Sequence, residues 1–207
     1  MSGKHIEKNQ PTSFEFNSAN LEKINKILKK YPLERKKSAV MPLLDIAQRQ
    51  HDNWIPYAAI KKIAEILEMP YIKVYEVATF YSMYNLAPVG KYFVQVCTTT
   101  PCMLRGSEKI VKLCKKYISE KESQLSSDNK ASWVEVECLG ACVSAPMMQI
   151  NDDFFEDLNE DTAIKIFEGI KSDQLPKFGS QKGRIGFEPN KRLTLVRNLI
   201  LSLSCSI

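Results

Sequence analysis

The sequence predicts an α+β chain in two parts: a bundle of short helices, then a small sheet covered by helices. Three observations carry this prediction. Amphipathic segments punctuated by proline fill the first part, the texture changes to strand-like alternation after Gly90, and four cysteines fall in loops at the ends of those strands. With 207 residues, 44% apolar and 26% charged, the composition is that of an ordinary globular chain. It is not that of a collagen-like, low-complexity or disordered one.

Residues 1–16 are polar and are expected to form a flexible N-terminus. Residues 17–88 read as the helical domain. Asn17 or Ser18 can cap a first helix with Leu21, Ile24, Leu28 and Tyr31 on one face, stopped by Pro32. Ser38 can cap a second, with Pro42 tolerated near its first turn and Val40, Leu43, Leu44 and Ala47 facing inward. Pro56 opens a third on Ala59, Ile60, Ile63 and Leu67. A fourth, over 71–82, buries Val74, Val77, Ala78 and Tyr81. The aromatic group Phe80, Tyr81 and Tyr84 reads as core or interface rather than as a cofactor box.

Residues 89–175 read as the second domain. Tyr92–Cys97 is a strand ending in a cysteine, and a helix follows from Ser107 with Ile110, Leu113, Cys114 and Tyr117 on one face. Ser123–Lys130 is a polar loop, and Trp133–Glu137 alternates as a second strand. Met147–Ile150 and Phe154–Glu156 flank Asn151-Asp152-Asp153 as a β-hairpin, and 160–171 is a closing helix on Ile164, Phe167 and Ile170. The order β-α-β-β-α suggests an α/β sandwich of thioredoxin-like size. Residues 176–207 show no periodicity and read as an irregular basic tail.

Several function classes are excluded or weakened. Residues 1–90 carry a net charge of +4, residues 91–172 of −3 and residues 173–207 of +4, a poor arrangement for gripping a phosphate backbone, so no nucleic-acid partner is expected. The basic ends suit either an acidic partner or a solvated surface. No apolar run approaches the roughly 18 residues of a membrane span, the longest candidate, Thr194–Ile207, being interrupted by Arg197 and Asn198. The N-terminus lacks the apolar stretch of a secretory signal and the arginines of a transit sequence. There is no glycine-rich nucleotide loop and no Ser-His-Asp arrangement, so no catalytic residue is assigned. His5 and His51 have no ligand neighbours.

The informative feature is the cysteine pattern. Cys97 and Cys102 are spaced C-x4-C in the loop leaving the first strand, and Cys138 and Cys142 are spaced C-x3-C in the loop leaving the second. Adjacent strands lie about 4.8 Å apart, so the two loops can offer four thiolates to one centre. Four thiolates suit zinc or an iron–sulfur cluster. The two wide loops, separated by a whole helix, favour a [2Fe–2S] cluster with one iron per pair. Zinc stays open, as the stabiliser of an interaction protein held by all four cysteines. Thr98, Thr99 and Thr100 put hydroxyls near the sulfurs, and Gly140 can supply the positive φ that aims the second pair. Glu135, Glu137, Asp152 and Asp153 should disfavour addition of an electron, with Arg105 as the local cation, so a low potential is expected. Cys114 reads as a buried inert thiol, and Cys205 is unpaired in the tail. A thiol–disulfide oxidoreductase is weakened by the lack of C-x-x-C.

These residues also carry a resemblance. VCTTTPCMLRGSE (96–108) and VECLGACVSAPMMQINDDFFEDL (136–158) look like the two cluster loops of the small iron–sulfur subunit of respiratory NADH:quinone oxidoreductase, complex I. EVATFYSMYNLAPVGKY (76–92) resembles that family's helix-to-strand junction, and NWIPYAAIKKIAEIL (53–67) its helical domain. The resemblance covers about residues 15–190 and implies a thioredoxin-like [2Fe–2S] ferredoxin domain after a helical bundle. It implies one [2Fe–2S] cluster on Cys97, Cys102, Cys138 and Cys142. The partners implied are a large subunit binding FMN and NADH, with which one electron is exchanged, and an iron–sulfur subunit of the peripheral arm. The implied enzyme is an oxidoreductase and translocase whose complete active site is not on this chain. The implied location is peripheral to the respiratory membrane, on its cytoplasmic or mitochondrial-matrix side. The alternative within this class is that the chain serves the same module in an NAD-linked hydrogenase or formate dehydrogenase. The apolar end LVRNLILSLSCSI (195–207) departs from the family pattern.

Overall fold

Proline and small-residue punctuation in the first part and strand alternation in the second give two units in the computed structural model, which describes residues 5–185. One unit comprises residues 5–93 with 121–133, the other residues 94–120 with 134–185. The apolar tail and Cys205 lie outside the described residues.

In the first unit, helix α1 (Ser18–Leu28) starts at Asn17, whose side chain accepts the Asn20 N–H at 2.8 Å. Helices α2 (Val40–Gln50), α3 (Tyr57–Leu67) and α4 (Tyr71–Phe80) follow. The stripe on α3 is buried as its spacing predicts, with Ala59, Ile60, Ile63 and Leu67 all inaccessible, and it packs with Leu43 and Leu44 of α2 and Val74 of α4. Each large aliphatic side chain buried here contributes about 1.5–3 kcal/mol. Tyr84 is also core: its hydroxyl donates to the Met41 carbonyl at 2.9 Å, and burial pushes its pKa up to about 12. Phe80 is exposed, and so is Tyr81, which the fourth helix was expected to bury, because α4 ends at Phe80 and its buried face is the Val74 and Ala78 side.

Two further expectations in this unit need correction. Ser38 does not cap α2; a 3-10 segment, Leu33–Ala39, runs into it, and Ala39 holds the cap position without a side-chain bond. Pro42 sits in the first turn, where its missing N–H is no loss. Residues 5–16, expected to be flexible, are docked instead. Ile6 bridges Leu86, the Glu7 N–H donates to the Leu86 carbonyl at 3.0 Å, and the Gln10 side chain accepts the Tyr57 N–H at 2.9 Å. Phe16 is buried and meets Phe14 edge to face, so two aromatic anchors outweigh a polar composition.

The sheet has the order β2-β1-β3-β4-β5, with β1 at Tyr92–Cys97, β2 at Ala131–Val136, β3 at Met148–Ile150, β4 at Asp153–Glu156 and β5 at Gly179–Ser180. The Tyr92 N–H donates to Lys130 and the Thr98 N–H to Val136, so β1 and β2 advance together and are parallel. β3 runs antiparallel to β1 with Val96 opposite Met148, and β4 antiparallel to β3. The short β5, parallel to β4, lies in the segment expected to be an irregular tail. The loop after β1 contains a helix that no sequence pattern predicts, α5 (Thr100–Leu104), with Cys102 in it. Helix α6 (Ser107–Tyr117) and helix α7 (Glu160–Lys171) pack together, with Tyr117 stacked on Phe167. A reciprocal Asn159–Thr162 cap starts α7, and its buried stripe is Ala163, Ile166, Phe167 and Ile170, with Ile166 rather than Ile164 facing inward. Cys114 is fully buried on α6.

Gly90 enters β1 in the left-handed region at φ +80, and a Cβ there would stand 2.7 Å from the Lys130 carbonyl oxygen. Gly90→Ala is therefore expected to destabilise the chain by about 2–4 kcal/mol, from backbone strain and overpacking together. Urea denaturation followed by far-ultraviolet circular dichroism checks this; an unchanged midpoint would show that the two backbones are not held this close.

Candidate metal centre

All four clustered cysteines belong to the second unit, and the parallel pairing of β1 and β2 makes their loops leave the same end of the sheet. Cys97 closes β1, its N–H donating to Met147 at 3.3 Å, while the next residue, Thr98, bonds Val136 at 3.2 Å. The chain then turns into α5, which carries Cys102 back toward Cys97. Cys97 and Cys102 are 2% and 1% exposed and share an apolar cluster with Ala145 and Met147, against which Leu139, Ala141 and Phe154 pack. Cys138 and Cys142 are exposed. The centre thus has an inner pair walled by apolar groups and an outer pair facing solvent.

The sulfurs come together in pairs. Cys138 Sγ and Cys142 Sγ are 3.4 Å apart, and the Cys97 and Cys102 thiols are hydrogen-bonded to each other. The pairs also feel one another electrostatically, since Cys97 acts on both Cys138 and Cys142, and Cys142 on Cys102. With metal–sulfur bonds of about 2.3 Å, two sulfurs on one tetrahedral metal stand about 3.8 Å apart, so the outer pair needs only a small opening to share one. Among the described residues, no three His, Cys, Asp or Glu side chains are gathered as a site for a single ion. Two cysteine pairs could hold a [2Fe–2S] cluster with one iron on each pair.

Each pair holds one thiol below the ordinary range and one above it. Burial pushes Cys97 up, but bonds from the Thr99 hydroxyl, the Leu139 N–H, Cys102 and the Thr99 N–H together bring it down. The Thr99 hydroxyl lies 3.4 Å from the Cys97 sulfur. Burial and the bond with Cys97 push Cys102 up to about 12. The Gly140 N–H, 3.4 Å from the Cys138 sulfur, and then Cys142 lower Cys138. Cys142 is raised by its bond to Cys138. Gly140 has φ +85, the left-handed conformation expected of it, and so can aim its N–H at the sulfur. Burial strongly raises the Cys114 thiol, in keeping with an inert core residue.

The surrounding charges differ from those the sequence suggests. Asp152 and Asp153 are not beside the centre: Ile150 lies opposite Val94, so the hairpin turn is at the far end of β1 from Cys97. Arg105 ends α5 through its backbone N–H. The cation tied into the second cysteine loop is Arg184, whose Nη2 donates to the Val143 carbonyl at 3.0 Å and to Ser144 Oγ at 2.9 Å. Its Nε donates to Asp157 Oδ2 at 2.8 Å. Burial pushes the Asp157 carboxyl up, but the Arg184 guanidinium and the Ser180 hydroxyl, which donates to it at 2.6 Å, hold it below the usual carboxylate range. No periodicity or spacing links Asp157 to Arg184, so this pair is invisible in the sequence.

The chain is similar to known proteins. A family model described as thioredoxin-like [2Fe-2S] ferredoxin matches residues 24–171. The E subunit of the NADH-quinone oxidoreductase of Rickettsia bellii is 53% identical over 162 residues, which are 78% of this chain and 97% of that protein. The NADH dehydrogenase [ubiquinone] flavoprotein 2, mitochondrial, of Dictyostelium discoideum is 48% identical over 197 residues, 93% of this chain and 80% of that one. Among solved structures, an NAD+-reducing [NiFe]-hydrogenase in the H2-reduced state shares the fold with a TM-score of 0.56 at 17% identity, over 65% of this chain and 22% of that chain.

In the metal-free protein, iodoacetamide should modify Cys138 first and at a lower pH than an ordinary thiol, because it is exposed and its thiolate is stabilised. Cys142 should lag despite its exposure, and Cys114 should react only on unfolding. Peptide mapping by mass spectrometry reads the order; equal rates at Cys138 and Cys142 would contradict the asymmetry within the outer pair.

Proposed function

The chain belongs to the thioredoxin-like [2Fe-2S] ferredoxin family, as a relative of the E subunit of NADH-quinone oxidoreductase, and from that premise we propose how its residues serve an iron–sulfur electron-transfer subunit of an NADH dehydrogenase module. The observation that carries the proposal is the convergence of two cysteine pairs, one buried and one exposed, at one end of the sheet. Cys97 and Cys102 would hold one iron of a [2Fe–2S] cluster, and Cys138 and Cys142 the other. When bound, such a cluster supplies a site for one electron at a time.

The residues of the chain do the rest. Cys102, pushed up to about 12, would give up its proton at neutral pH only beside the charge of a bound metal. Thr99 and Gly140 place donors on Cys97 and Cys138, which favours their thiolate forms. Met147, Ala145 and Phe154 keep water from the inner pair, while the outer pair stays accessible. The exposed pair is then the side offered to an electron partner, which we assign to a subunit carrying FMN and NADH. A second neighbour is an iron–sulfur subunit of the peripheral arm. The assembled enzyme is read as a translocase whose substrate sites lie on other subunits. Among the described residues no helix is long and apolar enough to cross a membrane. We assign the chain, as a relative of NADH-quinone oxidoreductase subunits, to attachment at the respiratory membrane through those other subunits, on its cytoplasmic or matrix side.

Anaerobic reduction of the iron- and sulfide-loaded chain should give one S = 1/2 signal of a two-iron centre per chain by electron paramagnetic resonance, with two irons and two sulfides by analysis. Cys138→Ser should lose or distort this centre, whereas Cys114→Ser should leave the visible spectrum intact. A colourless, zinc-containing protein, or equal behaviour of the two variants, would overturn the ligand assignment.

A further inference from the structure

The Cys142 turn is tied down from outside its own sequence. Beyond Cys142 the chain makes one 3-10 turn, Cys142–Ser144. The outward carbonyl of Val143 and the hydroxyl of buried Ser144 both take hydrogens from one nitrogen of Arg184, roughly forty residues later in the chain. The same guanidinium is paired through Nε with Asp157, and the two side chains are only 12% and 7% exposed. Asp157 is fixed in turn: its N–H donates to the Ser144 carbonyl at 2.7 Å, and its carboxylate accepts from Ser180 of β5. Ser180 Oγ accepts the N–H groups of Lys182 and Arg184, which shapes the strap that delivers the guanidinium. A near-buried ion pair is costly to assemble unless all its bonds are made, and here they converge on the turn that follows an exposed cysteine.

We infer that Arg184 is a positioning residue for the centre proposed above: it clamps the turn carrying Cys142, and its pairing with Asp157 keeps the charge beside the outer cysteine pair balanced. This rests on the cluster assignment of the preceding section. The guanidinium and the carboxylate cancel, so the pair is electrically quiet as long as both are present. Removing either one leaves the other as an uncompensated charge near the centre. The other charged groups that act on this pair, Lys182 on Asp157 and Glu156 on Arg184, are unchanged in the variants that test it.

The test uses the full chain loaded with iron and sulfide, with Arg184→Gln, Arg184→Lys and Asp157→Asn. Arg184→Gln should lower the midpoint potential and Asp157→Asn should raise it, whereas a scaffold without electrostatic effect predicts shifts of one sign or none. Arg184→Lys keeps the charge but loses the fork, so its potential should stay near the parent value while iron passes to a chelator several-fold faster. In the metal-free chain, amide hydrogen exchange at Val143–Ala145 should quicken in both Arg184 variants, a readout that needs no cluster. Shifts of the same sign in Arg184→Gln and Asp157→Asn, or unchanged exchange in that turn, would overturn the inference. A parent chain that takes up no two-iron centre would instead overturn the reading it rests on, and the exchange result would still judge the clamp.

Discussion

The parallel pairing of β1 with β2 is the feature that makes a shared cysteine centre possible. Parallel strands advance in the same direction, so the loops that leave them emerge at one end of the sheet. The bonds from Tyr92 to Lys130 and from Thr98 to Val136 fix that relation at both ends of the pair. Were β2 antiparallel to β1, its cysteine loop would leave at the far end, as the Asn151-Asp152-Asp153 turn does. A crossover through α6 is what makes the parallel relation possible, and it accounts for the long sequence gap between the two cysteine pairs.

The centre divides its electrostatic work between an inside and an outside. The inner pair is out of water, which by itself disfavours thiolates, and local donors offset this at Cys97 but not at Cys102. The outer pair is in water, and there the Gly140 N–H and the partner thiol set which sulfur holds the proton. With the sulfurs ligated, the thiol–thiol contacts would be given up, and the Thr99 hydroxyl and the Gly140 N–H would remain as donors to Cys97 and Cys138. Beyond the sulfurs, the neutral Arg184–Asp157 pair braces the outer loop without adding net charge.

Much of the first unit is legible in the sequence because its helices are local objects. The stripe Ala59, Ile60, Ile63 and Leu67 has helical spacing, and Pro56 and Pro70 bracket it, so both extent and buried face follow from short-range pattern. The expectations that needed correction are those in which tertiary contacts override composition. Residues 5–16 look soluble, yet Phe14 and Phe16 dock them; Ser38 looks like a cap, yet a 3-10 segment takes its place. Helix α5 is a single short helix that no periodicity could reveal.

Residue type and spacing were enough to point to the chemistry: four thiols in two loop-borne pairs, a pattern open to zinc but better suited to a [2Fe–2S] cluster. They were enough because ligand identity and spacing are properties of neighbouring residues. Folding in three dimensions settled which pair is buried and which faces solvent, that Asp152 and Asp153 stand at the wrong end of the sheet to act on the centre, and that Arg184 reaches back to the Cys142 turn. Those facts depend on strand register and on contacts between distant segments, and no pattern along the chain encodes a distance in space.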